Sequence, residues 1–289
     1  MSYIIPFLSS PFKYAFHAYK SVSFEVSLVK QKQRVYKGDP DYNATLRSLP
    51  GNHVKEEIQP FLDKEKIRKD LIVVETPISG MGAAQGTNLF RKGDAVVMLA
   101  PGFHAKDKEA CHWVMKHEIG HIKNNDPFTI PLTGSISSFA AAVFGTCTMP
   151  WLSATLLTVA VGITALSLFA QWREGKADDF AIENSSDDEL LSGRRFLMAW
   201  QQMNLDKRQT FWKKIEVSSY GNNTFDLLHP SLTSRIKKIE KVLEKKGIVV
   251  DKEGEARKIE NLKLFMINKE SEIEQAGGLW GILEEMYTL

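Results

Sequence analysis

The longest continuous pattern in the chain is a run of 46 residues, Pro127 to Trp172, without Asp, Glu, Lys, Arg or His. It divides at Thr146–Pro150 (TCTMP) into two segments of roughly 20 residues, each long enough as a helix to cross a bilayer core of about 30 Å. The first segment is rich in Gly, Ser, Ala and Thr, which favours close packing against the second. The run predicts a transmembrane helical hairpin over residues 129–172. A hairpin buried in a soluble domain is the alternative.

Two β-branched runs ahead of this stretch predict strands. The first is Leu71–Glu75 (LIVVE), and the second is Asp94–Ala100 (DAVVMLA), which Pro101 ends. The glycines of Ser79–Asn88, between the two runs, predict a loop.

Helical periodicity dominates the rest of the chain. Asp107 is a good N-cap for a helix to about Lys123, where NNDP stops it. Further helices are predicted over residues 173–183, 188–214 and 230–246, and Gly247 closes the last one. Residues 1–65 are predicted to be helices and loops, and residues 248–289 short amphipathic elements. We therefore predict an α+β, mainly helical fold with three parts: 1–65, a domain over 66–247 and an appendix, 248–289.

Composition excludes several classes of protein. The 289 residues are 43% hydrophobic with a net charge of +2, which indicates a folded protein and gives no reason to expect a nucleic-acid partner. The two cysteines, Cys111 and Cys147, have no metal-ligand spacing and are predicted to be buried free thiols. The first 20 residues lack the features of a signal peptide, so secretion is not expected.

The candidate chemistry lies in the helix that ends near Lys123. His117 and His121 are about 40° apart on one helix face, so both imidazoles can reach one metal ion. Glu118 falls in the same arc and is placed to accept a proton from the attacking water. This H-E-x-x-H pattern is typical of zinc sites, but it supplies only two protein ligands. The alternative is a surface helix with two solvated histidines.

A third ligand is expected from another element. His17, His53, His104 and His112 are poorly placed, whereas Glu174 and Asp178 lie one turn apart in a predicted helix beyond the apolar run. Glu174 can bind the metal, and Asp178 can accept a hydrogen bond from the far nitrogen of a ligating histidine. A solvated acidic helix face is the alternative for this pair.

The succession of HEIGH, an apolar hairpin, EGKAD and HPSLTSR resembles the M48 metallopeptidases over roughly residues 71–246. The family includes a bacterial heat-shock protease and the CAAX prenyl protease, but the N-terminus lacks the leading hydrophobic helices of the former. The chain is also shorter than the latter, so the prenyl substrate class is not supported. The resemblance implies a zincin-like domain with one zinc ion on His117, His121 and Glu174, Glu118 as general base and Asp178 behind the ligands.

The resemblance also implies catalytic roles for His229 and Arg235. His229 matches a histidine that stabilises the tetrahedral intermediate, and Arg235 matches an arginine that follows it. A helix cap is the alternative for His229, and a solvated helix charge is the alternative for Arg235. An extended substrate is expected to pair with an edge strand, either Asp94–Ala100 or the GTNLF segment before it.

Topology follows from the proposed ligand set. The two histidines precede the hairpin and the glutamate follows it, so both ends of the hairpin must lie on one side of a membrane. Lys116, Lys123, Arg173 and Lys176 flank these ends, which predicts an active site on the cytoplasmic face of the cell's inner membrane or an equivalent one. If the hairpin is soluble, the protein is expected in the cytoplasm.

The sequence therefore predicts a membrane-associated zinc endopeptidase that acts on protein or peptide substrates. A membrane-tethered scaffold with a zinc-stabilised, non-catalytic fold is the main alternative. A helical membrane protein with a chance motif is the other.

Overall fold

The computed structural model describes residues 51–68, 70–75, 81–85, 95–209, 211–224 and 226–275. Predictions for residues 1–50, for the GTNLF segment and for residues 276–289 lie outside these ranges. Within them the protein is mainly helical with one small mixed sheet, as predicted. The division into domains stays a prediction.

The sheet has three strands in the order β1–β3–β2: β1 (Leu71–Glu75), β2 (Gly82–Gln85) and β3 (Ala95–Leu99). β1 is parallel to β3, and β2 is antiparallel to it. The two predicted strands are confirmed. The loop predicted around Gly82 is wrong in part, because β2 forms there. β3 is central, so the Asp94–Ala100 strand is not the edge strand it was expected to be.

The helices of the described ranges are α1 (Asn52–Glu57), α2 (Gln59–Lys64), α3 (Phe103–Lys106), α4 (Lys108–Lys123), α5 (Asp126–Thr148), α6 (Trp151–Glu183), α7 (Asp187–Lys207), α8 (Phe211–Glu216), α9 (Leu232–Lys245) and α10 (Lys252–Gln275). The predicted start of α4 is confirmed, because the Ala110 backbone N–H donates to the Asp107 carboxylate at 2.9 Å. Gly247, with φ 71°, follows α9 as predicted.

Helix α4 lies at the centre of the fold and is buried along most of its length. It packs against β2, β3, α6 and α7. Glycine permits the closest of these contacts: a Cβ at Gly193 of α7 would lie 2.5 Å from the Trp113 ring. The residues of α4 are therefore held by neighbours on several sides.

Helices α5 and α6 pack on each other along the apolar run. The two helices are antiparallel: Gly145, late in α5, contacts Ala154, early in α6, and Gly162, later in α6, contacts Ser138, earlier in α5. Much of their outer surface is exposed and hydrophobic, up to 78% exposure at Trp151. Among the described helices, α6 alone is long and apolar enough to cross a membrane, and the apolar part of α5, Leu132–Thr148, is shorter. Helix α6 also continues without a break into the segment that carries Glu174.

The end of the chain differs from the prediction. Residues 252–275 form the single helix α10 and not several short elements. Its buried face, Ile259, Leu262 and Met266, belongs to the same hydrophobic core as α4 and α7. The single helix is stabilised by burial, because these apolar residues recur at helical spacing and pack together against α7.

The cysteine prediction is correct for one residue only. Cys111 is buried in α4, and its burial raises the pKa of the thiol well above its usual range. Cys147 is exposed, because it lies near the end of α5, where few neighbours cover the helix pair. The protein therefore has one accessible thiol among its described residues.

Candidate metal centre

Two helices bring three potential ligands together. His117 and His121 come from α4, and Glu174 comes from α6. The two Nε2 atoms are 3.2 Å apart, and each is within 3.3 Å of a Glu174 carboxylate oxygen. All three side chains are buried, so the alternative of two solvated histidines is wrong.

Gly120 explains how the carboxylate reaches the histidines. A Cβ at this position would lie 3.2 Å from the Ala177 backbone and 3.2 Å from the Phe180 ring. Glycine between the two histidines therefore lets α6 approach α4 closely. The residue is part of the quoted motif, but its role is visible only once the partner helix is in place.

These distances fit a single transition-metal ion. Ligand atoms about 2.0–2.1 Å from zinc, at the corners of a tetrahedron, lie roughly 3.3 Å from one another. The three observed separations are 3.1–3.3 Å. The buried Glu174 Oε2 also has no hydrogen-bond donor among the described residues. Two imidazoles and a carboxylate are a donor set that zinc accepts, so the residues fit the ion.

A carboxylate lies behind each histidine. His117 Nδ1 lies 3.0 Å from Asp178 Oδ1, close to the position that the predicted role of Asp178 requires. His121 Nδ1–H donates to Asp126 Oδ2 at 2.8 Å. Sequence reasoning missed Asp126, which was placed in the segment that stops α4. Such carboxylates fix the histidine tautomer that leaves Nε2 free for the metal.

Each of these carboxylates is held by an arginine. Arg235 makes a two-pronged ion pair with Asp178, at 2.7 and 2.9 Å, and both groups are buried. Arg173 contacts Asp126 and the Asn124 carbonyl. The solvated-charge alternative for Arg235 is therefore wrong. Its contacts favour a positioning role through Asp178, and its catalytic role stays a prediction.

The carboxylates also change the protonation of the histidines. Burial by itself lowers the pKa of both imidazoles, but the neighbouring Asp178 and Glu174 carboxylates raise that of His117 above its usual value. The contacts of His121 with Asp126 and Glu174 raise its pKa to about 10. In the absence of a metal ion the neighbouring carboxylates therefore favour the protonated form of each imidazole.

Glu118 and His229 lie on the open side of the ligand group. Both line a cleft of about 790 Å³ that also contains the three ligands. Glu118 lies under β2, since a Cβ at Gly82 would be 3.3 Å from Glu118 Oε1. In the described structure Glu118 thus lies beside the three potential ligands but does not belong to that group.

His229 points its Nε2 toward the centre, 3.6 Å from Glu174 Oε1. Its Nδ1 lies 2.9 Å from the Asp226 carboxylate, which raises the pKa of the imidazole. Asp226 is a further residue that the sequence did not reveal. Helix α9 is capped by Ser231, whose hydroxyl accepts from the Ser234 N–H, so His229 is not its cap.

A second group, Glu57, His104 and His112, also satisfies the distances of a metal site. Its Glu57 carboxylate is exposed and already binds Lys108 at 2.7 Å. That lysine lowers the pKa of Glu57 to about 2. The Lys108 ammonium thus occupies the position beside Glu57 that a metal ion would take. Among the described residues, no lysine lies in this way between His117, His121 and Glu174. Sequence reasoning rightly left His104 and His112 out of the main site.

Comparison with known proteins supports the family resemblance. No curated protein and no solved structure matches the chain. The family model of peptidase family M48 matches residues 82–243, which is more than half of the chain and includes every proposed ligand. The chain therefore belongs to peptidase family M48.

Proposed function

We propose that the protein is a zinc-dependent, membrane-associated endopeptidase that hydrolyses peptide bonds of protein substrates. The observation that carries the proposal is the convergence of three buried side chains: the two histidine Nε2 atoms lie 3.2 Å apart, each lies within 3.3 Å of one of the two Glu174 carboxylate oxygens, and the Glu118 carboxylate lines the same cleft. Family membership supports peptidase chemistry, and this donor set supports zinc. A scaffold would have no use for a general base in an open cleft.

His117, His121 and Glu174 would hold the zinc ion, which would supply a Lewis acid able to make water more acidic and to polarise a peptide carbonyl. Glu118 then acts as the general base: its carboxylate takes the proton of the attacking water and passes it to the leaving amine. Asp178 and Asp126 keep both imidazoles in the ligating tautomer while this happens.

His229 is placed to serve the same reaction from across the cleft. Its Asp226 partner favours the protonated imidazolium, whose Nε2–H points toward the centre. A cationic donor at that position stabilises the negative charge that develops on the carbonyl oxygen. In this role His229 donates to the substrate and does not need to contact the proposed metal ligands.

The substrate chain is proposed to pair with β2. This strand is at the edge of the sheet, and Met81, Gly82, Ala83 and Ala84 line the cleft above Glu118. Its side chains are small, so an extended peptide can approach the backbone and add a strand. β2 thus takes the place of the Asp94–Ala100 strand as the proposed partner of the substrate, and the GTNLF segment lies outside the described residues.

Metal analysis tests the zinc proposal directly. We expect one zinc ion per wild-type chain, and loss of the ion with His117→Ala. Because the neighbouring carboxylates favour protonated histidines and a metal ligand must be deprotonated, the number of protons released on binding is expected to be greater than zero. Calorimetry in buffers of different ionisation enthalpy measures this number, and binding is expected to tighten as pH rises. Zinc retained by His117→Ala, or binding without proton release, would contradict the proposed ligand set.

Membrane association rests on the apolar surface of α5 and α6. Residues 151–172 of α6 span about 33 Å at helical rise, enough for a bilayer core. The exposed side chains include Leu152, Leu156 and Leu168, and such continuous apolar surface is rare on soluble monomers. Both ends of the pair meet at the metal ligands, so we place the centre and both ends on the cytoplasmic side. Basic residues at these ends support that orientation.

The accessible thiol reports this topology. Cys147 lies at the turn of the helix pair, opposite the centre, while Cys111 is buried. In intact cells or sealed vesicles, a membrane-impermeant maleimide is expected to label Cys147 only from the side away from the cytoplasm. The matched control is Cys147→Ser with Lys237→Cys, which puts an exposed thiol on α9. The same label on both variants from one side would sink the transmembrane hairpin.

A further inference from the structure

We propose that one arm of the cleft is a substrate subsite for a large apolar side chain next to the cleaved bond, and that α10 closes it. We call this the apolar arm; its residues are Trp113, Phe196, Trp200, Met203 and Met266. The inference rests on the proposed peptidase function and names the substrate class of that site.

The apolar arm begins at a metal ligand. The His117 ring stacks on Trp113, with centroids 5.9 Å apart and planes at 21°. Trp113 contacts Phe196 at 6.4 Å, and Phe196 contacts Trp200 at 6.1 Å. A row of aromatic rings thus leads away from the centre. A peptide bond held at the centre places its neighbouring side chain against this row.

Helix α10 supplies the opposite wall through Met266, which is 4% exposed. Ion pairs join the helix to α7 at three places: Arg195 with Glu255 at 3.1 Å, Asp206 with Lys263 at 2.9 Å and Lys207 with Glu270 at 2.6 Å. The family match ends at residue 243, before α10 begins. This wall is therefore built by a part of the chain outside the matched region.

The charges at the outer end of the arm are paired within the chain. Glu270 accepts from Lys207, and Lys269 pairs with Glu272 at 2.8 Å. The charges of Glu270 and Lys269 are thus balanced by residues of the protein itself and do not call for an opposite charge on the substrate. Selection in the arm therefore depends on apolar contact, and we expect Leu, Met or Phe in preference to Gly or Asp.

Two series of quenched fluorescent peptides, varied on either side of the cleaved bond, test the subsite. Wild-type kcat/KM is expected to favour Leu over Gly by at least about tenfold at one position. Met266→Gln keeps side-chain volume but adds polarity, and it is expected to cut this ratio about fivefold or more. Trp200→Ala, at a partly exposed position, should also lower the ratio.

The matched control is Leu264→Gln, on α10 but 50% exposed, which should leave the ratio unchanged. An unchanged ratio in both arm variants, with cleavage of the Gly peptide retained, would overturn the subsite and leave the peptidase proposal standing. A wild type without apolar preference would do the same. No cleavage of any peptide or of casein by zinc-loaded wild type would overturn both.

Discussion

Replacing Glu118 by glutamine is expected to lower kcat/KM for casein or peptide hydrolysis by about a thousandfold, within the range of general-base removal. The amide keeps the shape of the side chain but cannot accept the proton of the attacking water. Zinc content should remain at one ion per chain, because Glu118 lies outside the ligand set. Thermal stability should also be unchanged, since the side chain is partly exposed in the cleft.

Glu109→Gln is the control, since it makes the same change on the same helix outside the cleft. It should leave kcat/KM unaltered. Equal residual activity in wild type and Glu118→Gln, at equal zinc content, would favour a zinc-stabilised scaffold over an enzyme. Loss of zinc from Glu118→Gln would instead show that the carboxylate is a ligand.

The sequence predicted the residues of the proposed ligand set because their chemistry is local or repeated at helical spacing. His117 and His121 share one face of a helix whose N-cap and end were readable, and Glu174 and Asp178 repeat that spacing on the next candidate helix. The strands β1 and β3 were equally readable, since their β-branched runs are buried. Short-range patterns of this kind need no knowledge of the partner surface.

Residues that act through tertiary contacts were not predictable in the same way. Asp126 belongs to a chain turn in sequence, yet the left-handed Asn125, with φ 60°, directs α5 so that Asp126 reaches His121. Asp226 sits in a loop whose path depends on α9. Helix α10 joins the core only because α7 offers it an apolar face. The contacts of Asp126 and Asp226 have no periodic signal in the sequence, and the helical spacing of the apolar residues in α10 does not identify the surface they pack against.

The arginine behind the ligands illustrates how burial decides a role. Arg235 and Lys238 lie one turn apart on α9 and face neighbouring carboxylates of α6, Asp178 and Asp179. Arg235 and Asp178 are buried, with side chains 7% and 3% exposed. Lys238 and Asp179 form their contact at 2.8 Å near solvent, at 35% and 45% exposure. Charge and helical spacing alone do not tell which of the two pairs is buried.

Arg235→Met is therefore expected to lower the free energy of unfolding by about 3–5 kcal/mol, because it leaves the Asp178 carboxylate buried without its main counter-charge. Lys238→Met should cost less than about 1 kcal/mol, as solvent screens the exposed pair. Denaturant unfolding in detergent micelles, with metal removed by chelator, measures both. Asp178→Asn in the Arg235→Met background should recover part of the loss, because it removes the unpaired charge. Equal costs for Arg235→Met and Lys238→Met would show that the buried pair is not what holds α9 against α6 behind His117.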